Sequence, residues 1–338
     1  MKKYLLPKDG NFYKANLHCH TTISDGVYTP EETKRLYMEK GYSVIAFTDH
    51  NLFITHNDLT DENFLALNGY ESDTNELYAD EDAEVMKNTR TCHLCFVAFD
   101  KDNDVHPAWI RDVHCWGGMD EYKGKVKFDE SKPDYLREYT PECQNGLIKN
   151  GREHGFFVTY NHPKWSLESY PEYMAYEGMN AMEIFNTGCW VGGYDEYNPE
   201  VYDDMLRSGK RIYCIATDDN HIPADMFGGF VMIKAEKLEY RTITKALESG
   251  DFYASRGPEI HDLWFEDGKV HITCSNAKSI SLMTGRRNSG AVWSENGKPI
   301  TEAEFEIKSE DKYIRLTVTD AEGNTANTNA YFTDELFD

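Results

Sequence analysis

No stretch of this 338-residue chain approaches the roughly 18 consecutive apolar residues of a membrane span. Positive charge is scarce too: 35 Lys and Arg stand against 59 Asp and Glu, a formal net charge of −24. The first lack argues against a membrane-spanning helix. The second argues against nucleic-acid polymers and anionic membrane surfaces as partners, since both need clustered cations. The opening MKKYLLPKDG is basic, but its apolar stretch is cut at Pro7 and is too short for a secretory signal, so a cytoplasmic location is expected. Eight cysteines form no disulfide framework; Cys92-x-x-Cys95 has no second pair at zinc-ribbon spacing, and most are read as buried reduced thiols. There is no G-x-x-x-x-G-K-[ST], no dinucleotide-binding glycine fingerprint and no G-x-S-x-G. Nucleoside triphosphatase, dehydrogenase and serine-hydrolase chemistries therefore lack support.

What is present is enough to build a sizeable core: 40% apolar and 13% aromatic residues, with an ordinary 28% charged. The length suits two domains or one large α/β barrel. Short apolar runs are expected as strands: Ser43–Phe47, Phe64–Gly69, Cys92–Phe99, Gly155–Tyr160, Asn180–Phe185 and Arg211–Ala216. Helices are expected between several of them. One is Pro30–Lys40, with Thr29 as N-cap before Pro30 and Gly41 as its stop; another is Tyr240–Ser249, closed by Gly250. This alternation predicts βα units and a mostly parallel sheet. Around residues 100–140, which carry Trp109, Trp116, Gly117 and Gly118, the pattern fails, and a lid or small insertion is expected. Near Gly257-Pro258 the grammar changes to alternating strands with turns at Asp267-Gly268, Asp311-Lys312 and Glu322-Gly323. In YIRLTVT, Ile314, Leu316 and Val318 fall on one face and Arg315 and Thr317 on the other. The expected organisation is a barrel over 1–257 and a small β-sandwich over 258–338.

The chemistry starts at His18-Cys19-His20. In extended chain the two imidazoles share a face and can hold one metal ion, although twelve histidines in 338 positions give roughly 0.4 such pairs by chance. Context accumulates beyond it. Asp25-Gly26 follows in a turn, Asp49-His50 follows SVIAF, and Glu71 follows ALNGY. His93 opens CHLCFVAF, His162-Pro163 follows GFFVTYN, and Asp219-Asn220-His221 follows RIYCIATD. Metal-binding side chains thus recur at strand ends, which in a βα barrel converge on the mouth where active sites are assembled.

The blocks NLHCHTTISDG, AFTDHN, the Glu71 and His93 pair, and NHP together with TDDNH resemble the PHP family, the polymerase and histidinol phosphatase superfamily of metal-dependent hydrolases, over residues 14–257. The resemblance implies a distorted seven-stranded βα barrel and two to three divalent ions. By position, His18, His20, Glu71 and Asp219 would hold the first ion. Glu71 would bridge to a second, completed by His93 and His162, and Asp25, His50 and His221 would hold a third. Asp25, where some members have His, resembles the phosphoesterase branch; the D-x-H spacing selects Asp219 over Asp218. The YASRGP segment and RLTVTDAEGNTANTNAYF resemble the branch that includes carbamate and ester hydrolases.

Imidazole and carboxylate ligands without thiolate suit Mn, Fe or Zn. Three such ions against Asp25, Glu71 and Asp219 leave a pocket near +3, and one unit pair at 4 Å is worth about 4 kcal/mol at an effective dielectric near 20. A small anionic substrate is drawn to such a pocket. The expected reaction is hydrolysis of a small phosphorylated metabolite, a nucleotide or sugar phosphate, by a hydroxide bridging two ions. Glu71, His221 and Asp49 are expected to serve it: a His or Asp beside the ligands protonates the leaving alkoxide, and Asp49, on the face opposite His50, orients a ligand. Lys164, with Trp165 beside it, Arg256 and Asn186 are the candidates for substrate contact. Two other readings stand beside this one: a PHP-type hydrolase of a carbamate, ester or amide bond, and a non-catalytic metal-containing binding protein.

Overall fold

The computed structural model describes residues 2–77, 89–115 and 117–337; the expectation at Trp116 falls outside the described residues. Ten strands lead through the first three quarters of the chain: β1 (Lys3–Tyr4), β2 (Asn11–Asn16), β3 (Val44–Phe47), β4 (Leu65–Asn75), β5 (Thr91–Ala98), β6 (Phe156–Tyr160), β7 (Ala181–Asn186), β8 (Tyr213–Thr217), β9 (Phe230–Ala235) and β10 (Phe252–Ser255). Every residue of β3, β5, β6 and β7 is buried, which is why these strands read as continuous apolar runs rather than alternating ones.

The result is a mixed α/β fold. β2, β3 and β4 pair in parallel, as do β6, β7 and β8. Contrary to a mostly parallel sheet, β5 is antiparallel to both β4 and β6, and β9 is antiparallel to β2 and β10. Strands β2 to β9 curl around one core: Ala15, Ala46, Leu67, Val97, Phe157, Ala181, Ile215 and Val231 belong to a single buried cluster. The ladder itself does not close among the described residues. The end of β2 meets the end of β8 through a bridge between Cys19 and Asn220, a 3.0 Å bond from the Asp219 amide to the His18 carbonyl and a 3.0 Å bond from the Asp218 amide to Asn16 Oδ1.

The helix Pro30–Met38 starts as its sequence requires. Thr29 Oγ1 accepts from the Glu32 amide at 3.2 Å while Glu32 accepts from the Thr29 amide at 3.0 Å, a capping box that leaves neither amide unpaired. Its inward face places Tyr37, fully buried, so that its hydroxyl lies 2.8 Å from both Asp218 and Asn220. The helix Tyr240–Ser249 ends where Gly250 takes φ +75°. No helix of the described residues is long and apolar enough to cross a membrane.

Among the described residues of 100–140 the regular structure is the short helix Met119–Tyr122, one 3₁₀ turn and a bridge between Val105 and Lys127. These residues pack Trp109, Met119 and Val126 against Ile23 and Leu52, next to the loops that follow β2 and β3. The approach is close: a Cβ on Gly117 would lie 2.0 Å from the Ser24 carbonyl oxygen, and one on Gly118 2.1 Å from that of Thr22. The segment therefore clamps the turn that carries Asp25.

Eight further strands follow: β11 (Ile260–Glu266), β12 (Lys269–Ala277), β13 (Ser279–Thr284), β14 (Gly290–Trp293), β15 (Ile300–Glu306), β16 (Tyr313–Thr319), β17 (Thr325–Thr328) and β18 (Tyr331–Phe332). One sheet runs β1-β11-β12-β15. The other, β14-β13-β16-β17, continues through β10 into the large sheet. Leu5, Leu263, Ile272, Leu282, Leu316 and Val318 share one cluster drawn from both sheets. Arg315, on the other face of β16, is buried against the helix Pro199–Arg207: its Nε and Nη2 donate to the two oxygens of Asp203 at 2.8 and 2.7 Å.

Candidate metal centre

Strand direction gathers the site. β2, β3, β6 and β8 deliver His18, His50, His162 and Asp219 just past their last residues, whereas β5, running the other way, delivers His93 near its first. In that register Asp73 pairs with His93 and Glu71 with Cys95. The antiparallel strand is the reason His93 precedes its apolar run while the other ligands follow theirs.

Glu71 stands at the centre, 1% exposed. Its Oε1 lies 3.2 Å from His18 Nε2, 3.1 Å from His93 Nδ1 and 3.4 Å from His162 Nε2. Its Oε2 lies 3.4 Å from His20 Nε2 and 3.1 Å from His50 Nδ1. Asp219 Oδ1 closes on His18 and His20 at 3.1 and 3.0 Å, and its Oδ2 lies 3.8 Å from His162. On the open side, Asp25 sits 3.4 Å from His221 Nε2 and 3.7 Å from His50 Nε2, with Asp25 and His221 each about a third exposed. All nine side chains named as ligands from the sequence meet in this one place.

The ligands are held from behind. His18 Nδ1 donates to Glu183 at 2.7 Å, which leaves Nε2 free to face Glu71 and Asp219. Glu183 also accepts from the His162 amide, Thr217 and Asn186. Asp49 touches no ligand directly. It accepts from the Thr21 amide at 2.7 Å and from Ser24 Oγ at 2.8 Å, fixing the turn between His20 and Asp25. Asp218 faces away from Asp219, taking bonds from the Phe227, Gly228 and Gly229 amides and from Thr187 and Tyr37. Three residues here hold positive φ without being glycine, Asn51 (56°), His162 (26°) and Asp219 (51°); such strain gathers where a side chain must be aimed.

The donor set fits divalent ions. His50 Nδ1, Glu71 Oε2 and His93 Nδ1 are buried with no hydrogen-bond partner among the described residues, and these three side chains offer atoms within 4.8 Å of one another. Buried polar atoms left unpaired are costly, and converging imidazole and carboxylate lone pairs are satisfied by a cation. Two further groups have the same closeness: His18, His20 and Asp219; and His20, Asp25, His50 and His221. The carboxylates demand positive charge. Burial opposes the charge on His20 and His162, yet the carboxylates of Asp219 and Glu71 facing the first, and of Glu71 facing the second, push them up to about 10 and about 9. One sulfur comes near as well: Cys95 groups with His18 and Glu71. Burial pushes its thiol up to about 11, and its Sγ accepts from Asn161 at 3.0 Å.

A cleft of about 470 Å³ opens over the cluster, lined by Asp25, His50, Glu71, His93, His162, Asp219 and His221, with Asp73, Trp165, Tyr194, Ile222 and Asp225 around them. Of the substrate candidates, neither Lys164 nor Arg256 lines it. Lys164 Nζ is drawn off by Glu200 at 2.9 Å and Asp195 at 3.6 Å, and donates to the Tyr197 carbonyl. Arg256 lies over the rings of Phe185 and Trp190, at 4.0 and 4.6 Å from their centroids. Asn186 is buried and donates to Glu183 and, at 3.1 Å, to Asp219, so it supports a ligand rather than facing the opening. Glu183 was not singled out from the sequence; its signal is a lone charge inside the apolar run AMEIFN.

No family model and no curated protein matches this chain. Solved structures do. A two-domain protein from Bacteroides vulgatus containing a predicted PHP-like metal-dependent phosphoesterase is 15% identical, covering 97% of this chain and 98% of its own, with a TM-score of 0.47. An amidohydrolase from Chromobacterium violaceum is 16% identical over 62% of this chain and 88% of its own (TM-score 0.40). The lesion-specific endonuclease EndoQ from Pyrococcus furiosus is 14% identical over 70% and 56% (TM-score 0.39). These likenesses are remote and decide nothing about activity; a PHP-like protein is among the structures this chain is similar to.

Proposed function

We propose that this chain is a metal-dependent hydrolase of a small phosphorylated metabolite, a nucleotide or sugar phosphate. The reading rests on one observation: eight imidazole and carboxylate side chains gather in one cluster with Glu71 at its centre, and three buried atoms there are left unpaired. His18, His20, Glu71 and Asp219 would hold one ion, Glu71, His93 and His162 a second, and Asp25, His50 and His221 a third, of Mn, Fe or Zn. When bound, such ions lower the pKa of water and offset charge on substrate oxygens.

The chain's own residues supply the rest. Glu71 presents one oxygen to His18, His93 and His162 and the other to His20 and His50, so it touches residues that would hold each of the three ions. Asp49 and Glu183 keep the ligands oriented through the Thr21–Ser24 turn and the His18 ring. His221 holds its Nδ1 against the Asp219 carbonyl at 2.9 Å and turns Nε2 towards Asp25 on the open side, where it would hold the third ion or, with that position empty, carry the proton for a departing alkoxide. With a net charge of −24 the chain is not expected to take nucleic-acid polymers or membranes as partners.

One observation favours a second reading, hydrolysis of a carbamate, ester or amide: no Lys or Arg among the described residues lines the cleft. A metabolite panel separates the two. Metal-loaded protein should release phosphate from phosphomonoesters; release from aryl carbamates or carboxyl esters alone would select the second reading. Elemental analysis finding no bound metal would reject both.

A further inference from the structure

The cleft carries a rim that the metal chemistry does not use. Trp165, Tyr194 and Ile222 are 37%, 41% and 47% exposed, and all three line the opening beside His93, His162 and His221. Large apolar groups left in water at a site mouth are unfavourable unless something covers them.

Each is held in place. The Trp165 amide donates to Glu196 at 2.7 Å, and its ring stands edge-on to His93 and His162, with centroids 5.2 and 4.9 Å away. The Tyr194 amide donates to the Cys189 carbonyl at 3.0 Å, and the Ile222 amide to Asp225 at 3.0 Å. The contact surface is built before any ligand arrives, which lowers the ordering cost of binding one.

Charge limits what that ligand can be. Besides Asp25, Glu71 and Asp219, the cleft is lined by Asp73 and Asp225, and by no Lys or Arg among the described residues. Five carboxylates against three divalent ions leave about one net positive charge, rather than the three expected from the sequence ligands. One phosphoryl group is accommodated; a second anionic group would meet the carboxylates of Asp73 and Asp225, and Arg137, the cation beside Asp73, does not line the cleft.

Resting on the phosphoesterase reading above, we propose that the substrate carries, next to its single phosphoryl group, an uncharged flat ring seated against Trp165, Tyr194 and Ile222, and no second anionic group. Sugar bisphosphates and nucleoside polyphosphates are excluded by this chemistry.

The test uses Mn-loaded full-length protein and two arms. In the binding arm, phenylphosphonate should bind about five- to tenfold more tightly than methylphosphonate, and 4-carboxyphenylphosphonate should bind more weakly than phenylphosphonate. Tyr194→Ala and Trp165→Leu should each shrink the phenyl-to-methyl ratio at unchanged metal content, two positions guarding against one that merely misfolds. Equal affinities, no binding of any phosphonate, or ratios untouched by both substitutions would overturn the proposal. In the kinetic arm, phenyl phosphate should exceed glycerol phosphate in kcat/KM by a similar ratio. If neither ester releases phosphate, the phosphoesterase reading falls, while the phosphonate affinities still decide the ring.

Discussion

Two buried charge clusters in this molecule are built on opposite plans. At the seam between the helix Pro199–Arg207 and β16, Asp203 and Arg315 close on each other with paired 2.7 and 2.8 Å bonds, and Tyr313 adds its hydroxyl at 3.2 Å. Nothing is left over. At the strand ends, acidic groups and imidazoles crowd together with no Lys or Arg paired to Glu71 among the described residues, and three atoms are unpaired. The first cluster is complete within the chain and serves stability; the second becomes complete only with a cation, and so serves binding. Both clusters bury charged side chains, and completeness is what separates them.

The largest expected effect comes from breaking the incomplete cluster at its centre. Glu71→Ala should remove bound metal, read by elemental analysis, and lower kcat/KM by roughly 10³-fold or more, with the chain still folded. Asp203→Ala should do the reverse. It leaves Arg315, whose side chain is 4% exposed, without its partner. The expected loss is about 3–5 kcal/mol in denaturant unfolding, with metal content per folded molecule unchanged. If Asp203→Ala stripped metal, or Glu71→Ala unfolded the chain, the two clusters would not be separable in this way.

How far the sequence reaches follows the same division. The nine clustered side chains were legible because an imidazole or carboxylate stands out against SVIAF, GFFVTYN or RIYCIATD. Asp219 was separable from Asp218 by spacing alone, and Asp218 indeed spends its oxygens on the Phe227–Gly229 amides and Tyr37. Pairing direction was not legible: nothing in CHLCFVAF says that β5 runs against its neighbours. Nor was the fate of Lys164 and Arg256, because Glu200, Asp195, Phe185 and Trp190, which engage them, lie 31 to 71 residues away along the chain. Alternation put Arg315 on the face opposite Ile314, Leu316 and Val318, and what that face packs against, a helix a hundred residues earlier, was not in the pattern.

Glu183 refines the comparison, being complete itself yet serving the incomplete cluster. Its four donors include His18 Nδ1 and the His162 amide. Glu183→Gln should weaken metal affinity by about 10- to 100-fold while leaving the ligands in place, a titration with a metal-sensitive dye being the readout.

Glu168 supplies the smallest effect and a third plan: a buried carboxylate completed by neutral donors alone. Tyr139 and Tyr176 donate to its Oε1 and Tyr160 to its Oε2. Burial raises its pKa to about 7, against the three hydroxyls, which favour the charged form. Because the folded value lies above the unfolded one, the folded state binds the proton more tightly. The contribution is full below the ordinary glutamate range and is lost as pH rises towards about 7. Between pH of about 5.5 and about 6.5 the native chain should therefore lose up to about 1.4 kcal/mol relative to Glu168→Gln, measured as the difference between their unfolding free energies. A difference that stays flat over this interval would mean that three tyrosine hydroxyls offset the burial of a carboxylate without help from any cation. Completeness would then require hydrogen bonds only, and the unpaired atoms around Glu71, rather than its crowded charge, would be the whole signature of the metal centre.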